Sequence, residues 1–213
     1  MTEHYEYINH NALEQCIVNQ HPYPHAVIKN FIRPDKLEGI YRDFPNLDAG
    51  GVFNCTDNNT FGELAAFIQE LKDESLRLWL NKKFNLNLTN LPTMTTLRGY
   101  SRKKDGRIHT DSKDKVITAL IYLNPTWTAK TGQLRLLNSH NIDDVVEEVT
   151  PSAGTCVLFK VTDNCWHGYK RFEGSRRSIM FNYLITDKAA KRHKSSHFFS
   201  AKIKKLKSML MPG

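Results

Sequence analysis

The stretch Asp105-Gly106-Arg107-Ile108-His109-Thr110-Asp111 decides how this chain is read. If it is extended, residues two apart point to the same side of the backbone, so His109 and Asp111 can reach one metal ion. A second imidazole, His167, lies far downstream after another predicted strand. Two imidazoles and one carboxylate make a facial set that leaves the other positions of an octahedral ion open. With nine histidines in the chain, a lone His-x-Asp is a weak signal. Taken singly, His109 is as readily a loop histidine at the surface, and His167, beside Trp166, a partly buried structural one. The ordered set carries the weight. Beyond His167, Arg176-Arg177-Ser178 opens an apolar strand. There Arg176 and Ser178 share a face and Arg177 points away, which offers a planar donor fork and a hydroxyl to a carboxylate.

Outward from this constellation the pattern is one of short β-rich runs: Met94 to Tyr100, Val116 to Leu123, Gln133 to Leu137, Val145 to Val149, Thr155 to Val161 and Ser178 to Ile185. Turn-like pieces such as Lys104-Asp105-Gly106, Asn124-Pro125 and Glu173-Gly174 separate them, which suggests a sandwich or barrel. Before Pro92 the signals are mainly helical. Pro34 suits an early helical position in a short helix through Tyr41 and Phe44. Thr60 and Glu63 have capping-box spacing and open a longer apolar-periodic stretch from Leu64 to Leu80. Residues 46–59 read as a loop, and with 101–106 they are expected to line an entrance. Phe198 to Met211 reads as a basic amphipathic helix that packs on its own domain.

The formal charge of +8 is uneven, with much of the excess after Lys188 and a cluster at Arg102-Lys103-Lys104. Such charge admits an anionic partner, but a solvated basic face is the commoner cause, and no nucleic-acid module is visible. The four cysteines, Cys16, Cys55, Cys156 and Cys165, form no CxxC pair and read as reduced thiols. No apolar run approaches the roughly 18 residues of a membrane span. The polar start has no secretory pattern, so a cytoplasmic location is the default expectation.

Six segments carry a family resemblance: Leu97 to Tyr100, Asp105 to Asp111, Ile117 to Asn124, Thr131 to Leu136, Trp166-His167 and Gly174 to Ser178. In order and spacing they resemble the Fe(II)/2-oxoglutarate-dependent dioxygenase superfamily, in its prolyl 4-hydroxylase-like branch. The resemblance runs from Met94 to Ile185. It implies an α+β fold with a mainly β core, a double-stranded β-helix or distorted jelly roll. The expected layout is one domain over 1–213: helical support over 1–92, jelly-roll core over 93–186, and a basic C-terminal helix within 187–213.

The same resemblance implies iron(II) on His109, Asp111 and His167. It places the far carboxylate of 2-oxoglutarate on Arg176 with Ser178, Tyr100 and Tyr122, and Leu134 in an apolar pocket position. Dioxygen is the second co-substrate, and ascorbate is left open as an accessory. The implied reaction hydroxylates an unactivated C–H bond, of a prolyl or other amino-acid residue or a small molecule, with release of succinate and CO2. Related halogenases lack the carboxylate ligand; Asp111 keeps it. Two departures bear on the substrate side: Thr131-Gly132 stands where the family has Gly-Gly, and Gly168-Tyr169 follow His167 where it often has a valine. Two other readings stay open, a non-enzymatic jelly-roll metal- or ligand-binding module and a nucleic-acid demethylase of the same superfamily. The demethylases carry a second arginine where this chain has Asn182.

Overall fold

Alternation along the central strands sets the architecture. In β4 (Lys115–Tyr122), Ile117, Ala119 and Ile121 enter one apolar core, while Leu120 and Tyr122 join another on the opposite face. In β9 (Gly174–Leu184), Ile179, Phe181 and Tyr183 take the first side, and Arg176, Ser178 and Met180 face a cavity on the second. Burial with period two on both faces suits a sheet covered by helices on one side and a second sheet on the other.

The computed structural model describes residues 5–56, 58–189 and 191–192. Its six-stranded sheet has the order β1 (His25–Ile28), β7 (Cys156–Lys160), β4, β9, β3 (Thr93–Ser101), β2 (Phe53–Asn54). A three-stranded sheet runs β6 (Val145–Val149), β5 (Leu134–Leu137), β8 (His167–Gly168). Every strand pairing among the described residues is antiparallel. This is the double-stranded β-helix expected from the sequence. All four cysteines are free, and Cys156 sits in β7 within the core.

The helical layer consists of α1 (His10–Glu14), α2 (Leu37–Arg42) behind a 3-10 turn at Pro34–Lys36, α3 (Gly62–Glu70) and α4 (Glu74–Phe84). Leu64, Phe67, Leu76 and Leu80 share one core with the outward residues of β4 and β9. The single helix expected from Thr60 to Leu80 is therefore two helices, broken at 71–73. The capping box does not form either. Phe61 is the N-cap of α3, Thr60 Oγ1 donates back to the Thr56 carbonyl, and the Glu63 amide donates to Asp43 Oδ2 at 2.7 Å. A carboxylate from another element has replaced the local cap. The N-terminal segment is tied down in a similar way. The buried Glu70 carboxylate accepts from the amides of Glu6, Tyr7 and Ile8 at 2.7, 3.0 and 2.7 Å.

The first 92 residues also supply strands. β1 extends one edge of the large sheet and β2 the other. Their short lengths between turns leave no period to detect. β9 begins at Gly174, four residues before the strand start expected at Ser178, because residues 174–178 pair with the end of β3. Helical backbone begins at Asp187, but the basic amphipathic helix expected over 198–211 lies outside the described residues.

Candidate active site

His109 and His167 sit directly opposite one another. Each donates its backbone amide to the other's carbonyl at 3.0 Å, forming an isolated antiparallel bridge beside β8. Residues facing each other across such a pair project to the same side. Their rings accordingly meet, with centroids 4.3 Å apart. Each Nδ1 lies 2.8 Å from the carbonyl two residues earlier, Arg107 for His109 and Cys165 for His167. A carbonyl can only accept, so Nδ1 carries the proton and Nε2 offers its lone pair to the site. Asp111 joins them: one ligand atom from each of the three residues lies within 4.8 Å of the others.

The backbone that makes this approach possible needs glycine. A Cβ on Gly168 would stand 2.9 Å from the Gly106 carbonyl oxygen and 3.1 Å from the Ile108 Cα. Any side chain there would push the 106–109 stretch away from β8. Behind His167, Phe159 packs at 4.8 Å between ring centroids, and Tyr23 donates to the Trp166 carbonyl. Burial pulls the His167 imidazole down to about 4, partly opposed by Asp111. It is therefore neutral near pH 7, as ligation requires.

Asp111 is held from two sides. Lys115 Nζ donates to Oδ1 at 3.0 Å and Thr118 Oγ1 to Oδ2 at 2.6 Å. Burial pushes the carboxyl up. The Lys115 charge, the neighbouring His167 and these hydrogen bonds outweigh that and hold it below the ordinary carboxylate value. Thr118 Oγ1 also lies 2.9 Å from Asn182 Oδ1, while Asn182 Nδ2 is buried with no partner among the described residues. A hydroxyl has one proton, and the carboxylate is the stronger acceptor. Rotating the amide places Nδ2 on the Thr118 oxygen and satisfies both groups.

The three side chains open onto a cavity of about 430 Å³. At its floor lies Arg176, only 4% exposed. Its Nε donates to the Gly132 carbonyl at 3.0 Å and its Nη2 to Tyr122 Oη at 3.3 Å, and Tyr169 stacks 4.2 Å from its Cζ. Among the described residues no carboxylate pairs with it. A buried cation without an acid is costly unless an anion arrives, so the floor fits the free carboxylate of a bound acid. Burial raises the Tyr122 hydroxyl despite the Arg176 charge, so it remains a neutral donor.

Of the eight residues expected at the metal and the co-substrate, His109, Asp111, Tyr122, Leu134, His167, Arg176 and Ser178 line this cavity and Tyr100 does not. Tyr100 is expected at the co-substrate, but a bulge between Arg98 and Tyr100 shifts the register there, and Tyr169 occupies the space beside Arg176. Arg177 turns away onto the Tyr41 ring, as alternation demands. Asn182 buttresses Thr118. Val52, Lys104, Asp105 and Gly106 also line the cavity, and the 46–59 stretch expected as a loop contains β2. Sequence reasoning missed Arg98, Lys115, Thr118 and Tyr169. Only Tyr169 left a trace, as the departure after His167.

A double-stranded β-helix with a two-histidine, one-carboxylate set above a buried arginine defines the class of fold and site. Residues 95–184 match the 2OG-Fe(II) oxygenase superfamily. Among solved structures, the chain is similar to a prolyl-4-hydroxylase from Pseudomonas putida, at 19% identity and a TM-score of 0.56, covering 75% of this chain and 91% of that one. A viral collagen prolyl hydroxylase from Paramecium Bursaria Chlorella virus-1 gives 14%, 0.51, 75% and 96%. HygX from Streptomyces hygroscopicus, solved with nickel and 2-oxoglutarate bound, gives 13%, 0.54, 76% and 82%. No curated protein matches the chain. The chain thus resembles the Fe(II)/2-oxoglutarate dioxygenase superfamily in sequence across its β core, and prolyl 4-hydroxylases and HygX in fold across three-quarters of its length. Among the described residues no helix is long and apolar enough to cross a membrane.

Proposed function

We propose that this chain is an Fe(II)- and 2-oxoglutarate-dependent hydroxylase acting on an unactivated C–H bond, with succinate and CO2 as co-products. The observation that carries this is the pairing of a His109–Asp111–His167 set with Arg176, a buried guanidinium without an acid partner among the described residues, in one cavity. A simple metal-binding barrel has no use for the arginine. The donor set suits iron(II): two neutral imidazoles and one carboxylate, with the rest of the ion's sphere open to the cavity.

Bound there, iron and 2-oxoglutarate would supply the oxidising power that cleaves the C–H bond. The chain's own residues orient and protect. His109, Asp111 and His167 hold the metal. Arg176, Tyr122 and Ser178 take the far carboxylate of 2-oxoglutarate, and Leu134 packs its methylene chain. Lys115 and Thr118 fix the aim of Asp111. Phe159 and Tyr23 keep the back of His167 dry. Peptidyl-proline is the first substrate to try, on resemblance alone. Asn182, where demethylases carry a second arginine, is committed to Thr118, so nucleic acid is not favoured.

Succinate release measured with iron and 2-oxoglutarate, with and without candidate peptides, tests the proposal. Wild-type protein should form succinate, and Asp111→Ala should form none above background. Near-normal succinate from Asp111→Ala would remove Asp111 from the ligand set.

A further inference from the structure

The cavity has more positive charge than the proposed co-substrate needs. Among the described residues two acids line it, Asp105 and Asp111. Asp111 is held by Lys115, and Asp105 takes a two-pronged contact from Arg102 at 2.9 and 3.1 Å. Arg176 on the floor is assigned to 2-oxoglutarate. Nearer the mouth is Arg98, half-buried in β3, with Lys104 and Arg107 exposed at the rim. The Arg98 side chain makes one hydrogen bond, from Nη1 to Tyr169 Oη at 3.4 Å, and no salt bridge among the described residues. Tyr169 thus stands between two guanidiniums, Arg176 against its face and Arg98 at its hydroxyl.

A second observation lies on the same strand. Thr96, two residues from Arg98 and hence on the same face, also lines the cavity. Its hydroxyl is buried with no hydrogen-bond partner among the described residues. Asp105 feels the Arg98 charge but gives its oxygens to Arg102. Among the described residues, a guanidinium with no carboxylate in contact and a hydroxyl with no partner, on one cavity wall, are the donors a carboxylate takes up.

We infer that the molecule oxidised by this protein carries a carboxylate, which Arg98 and Thr96 hold at the β3 wall of the cavity. The inference rests on the oxygenase reading for the word oxidised, but the binding site stands on its own geometry. The carboxylate belongs either to an acidic residue of a peptide or to a free acid. A more open groove shares Gly106, Arg107 and Tyr169 with the cavity and adds Arg171, with Lys170 there paired to Asp143 at 2.8 Å, so Arg107 and Arg171 give an acidic segment a path to follow.

The test is equilibrium binding to anaerobic protein loaded with Mn(II) and saturating 2-oxoglutarate. The probes are a library of blocked tetrapeptides bearing one Asp or Glu, the matched library bearing Asn or Gln, and free aspartate and glutamate. Wild-type protein should retain acid over amide by about tenfold, the size of one charge-assisted contact. Retention of peptides or of free acids identifies the source of the carboxylate; either supports the assignment. Arg98→Gln should abolish the preference and Arg98→Lys restore part of it, with the dissociation constant of 2-oxoglutarate unchanged within about twofold. Equal retention of acid and amide by wild-type protein would overturn the inference. So would a large loss of 2-oxoglutarate binding in Arg98→Gln, which would assign Arg98 to the co-substrate. Absence of succinate in the turnover assay, with the acid preference intact, would instead count against the oxygenase reading alone.

Discussion

Thr118 has one proton to give, and its destination sets the aim of Asp111. The 2.6 Å contact to Oδ2 and the Lys115 contact to Oδ1 leave the carboxylate little freedom to swing away from the two imidazoles. Thr118→Val keeps the shape and removes the proton. Metal affinity should fall about 10- to 100-fold, the usual cost of losing such support, in a Mn(II) titration of otherwise folded protein. His167 carries a pH signature. Its folded value, lowered by burial, is about 4 against an ordinary 6.5. Between these values an unfolded chain binds a proton that the native metal-free chain refuses. Stability of the metal-free protein should thus fall as pH drops through that window, by up to about 1.4 kcal/mol per pH unit. Urea unfolding across it should show a steeper decline for wild-type protein than for His167→Gln.

At the scale of elements, what the sequence disclosed and what it hid have one cause. The strands of the core were legible because they are short runs rich in β-branched, aromatic and aliphatic residues set between turn pieces, and Arg176 and Ser178 could be placed on one face from spacing alone. His109, Asp111 and His167 were legible because a set able to hold a metal ion draws on few residue types. Arg98, Lys115, Thr118 and Tyr169 were not. Their roles depend on which strands lie side by side and on a bulge in β3 that moves Tyr100 off the cavity. The cap of α3 is a further case, since Asp43 comes from the end of α2 and no local motif announces it. Asp43→Ala should cost about 1 kcal/mol in urea unfolding, whereas Thr60→Ala, at the apparent capping box, should cost much less.

Across the whole molecule, the helices cover one face of the large sheet so that the other can face a cavity. The three-stranded sheet closes over that cavity and brings His167 to His109. Evenly covered sheets give a rigid seat, and rigid seats hold ligands at fixed separations. The measurement that bears most directly on this arrangement is anaerobic titration of 2-oxoglutarate into Fe(II)-loaded protein, followed by the visible charge-transfer absorption of the iron chelate. One iron per chain and a saturating band are expected. Asp111→Ala should lose the band, and Arg176→Gln should need at least about tenfold more 2-oxoglutarate to reach it. A protein that binds no iron, or one in which Arg176→Gln saturates like wild type, would contradict the claim that this triad and this arginine serve a single site.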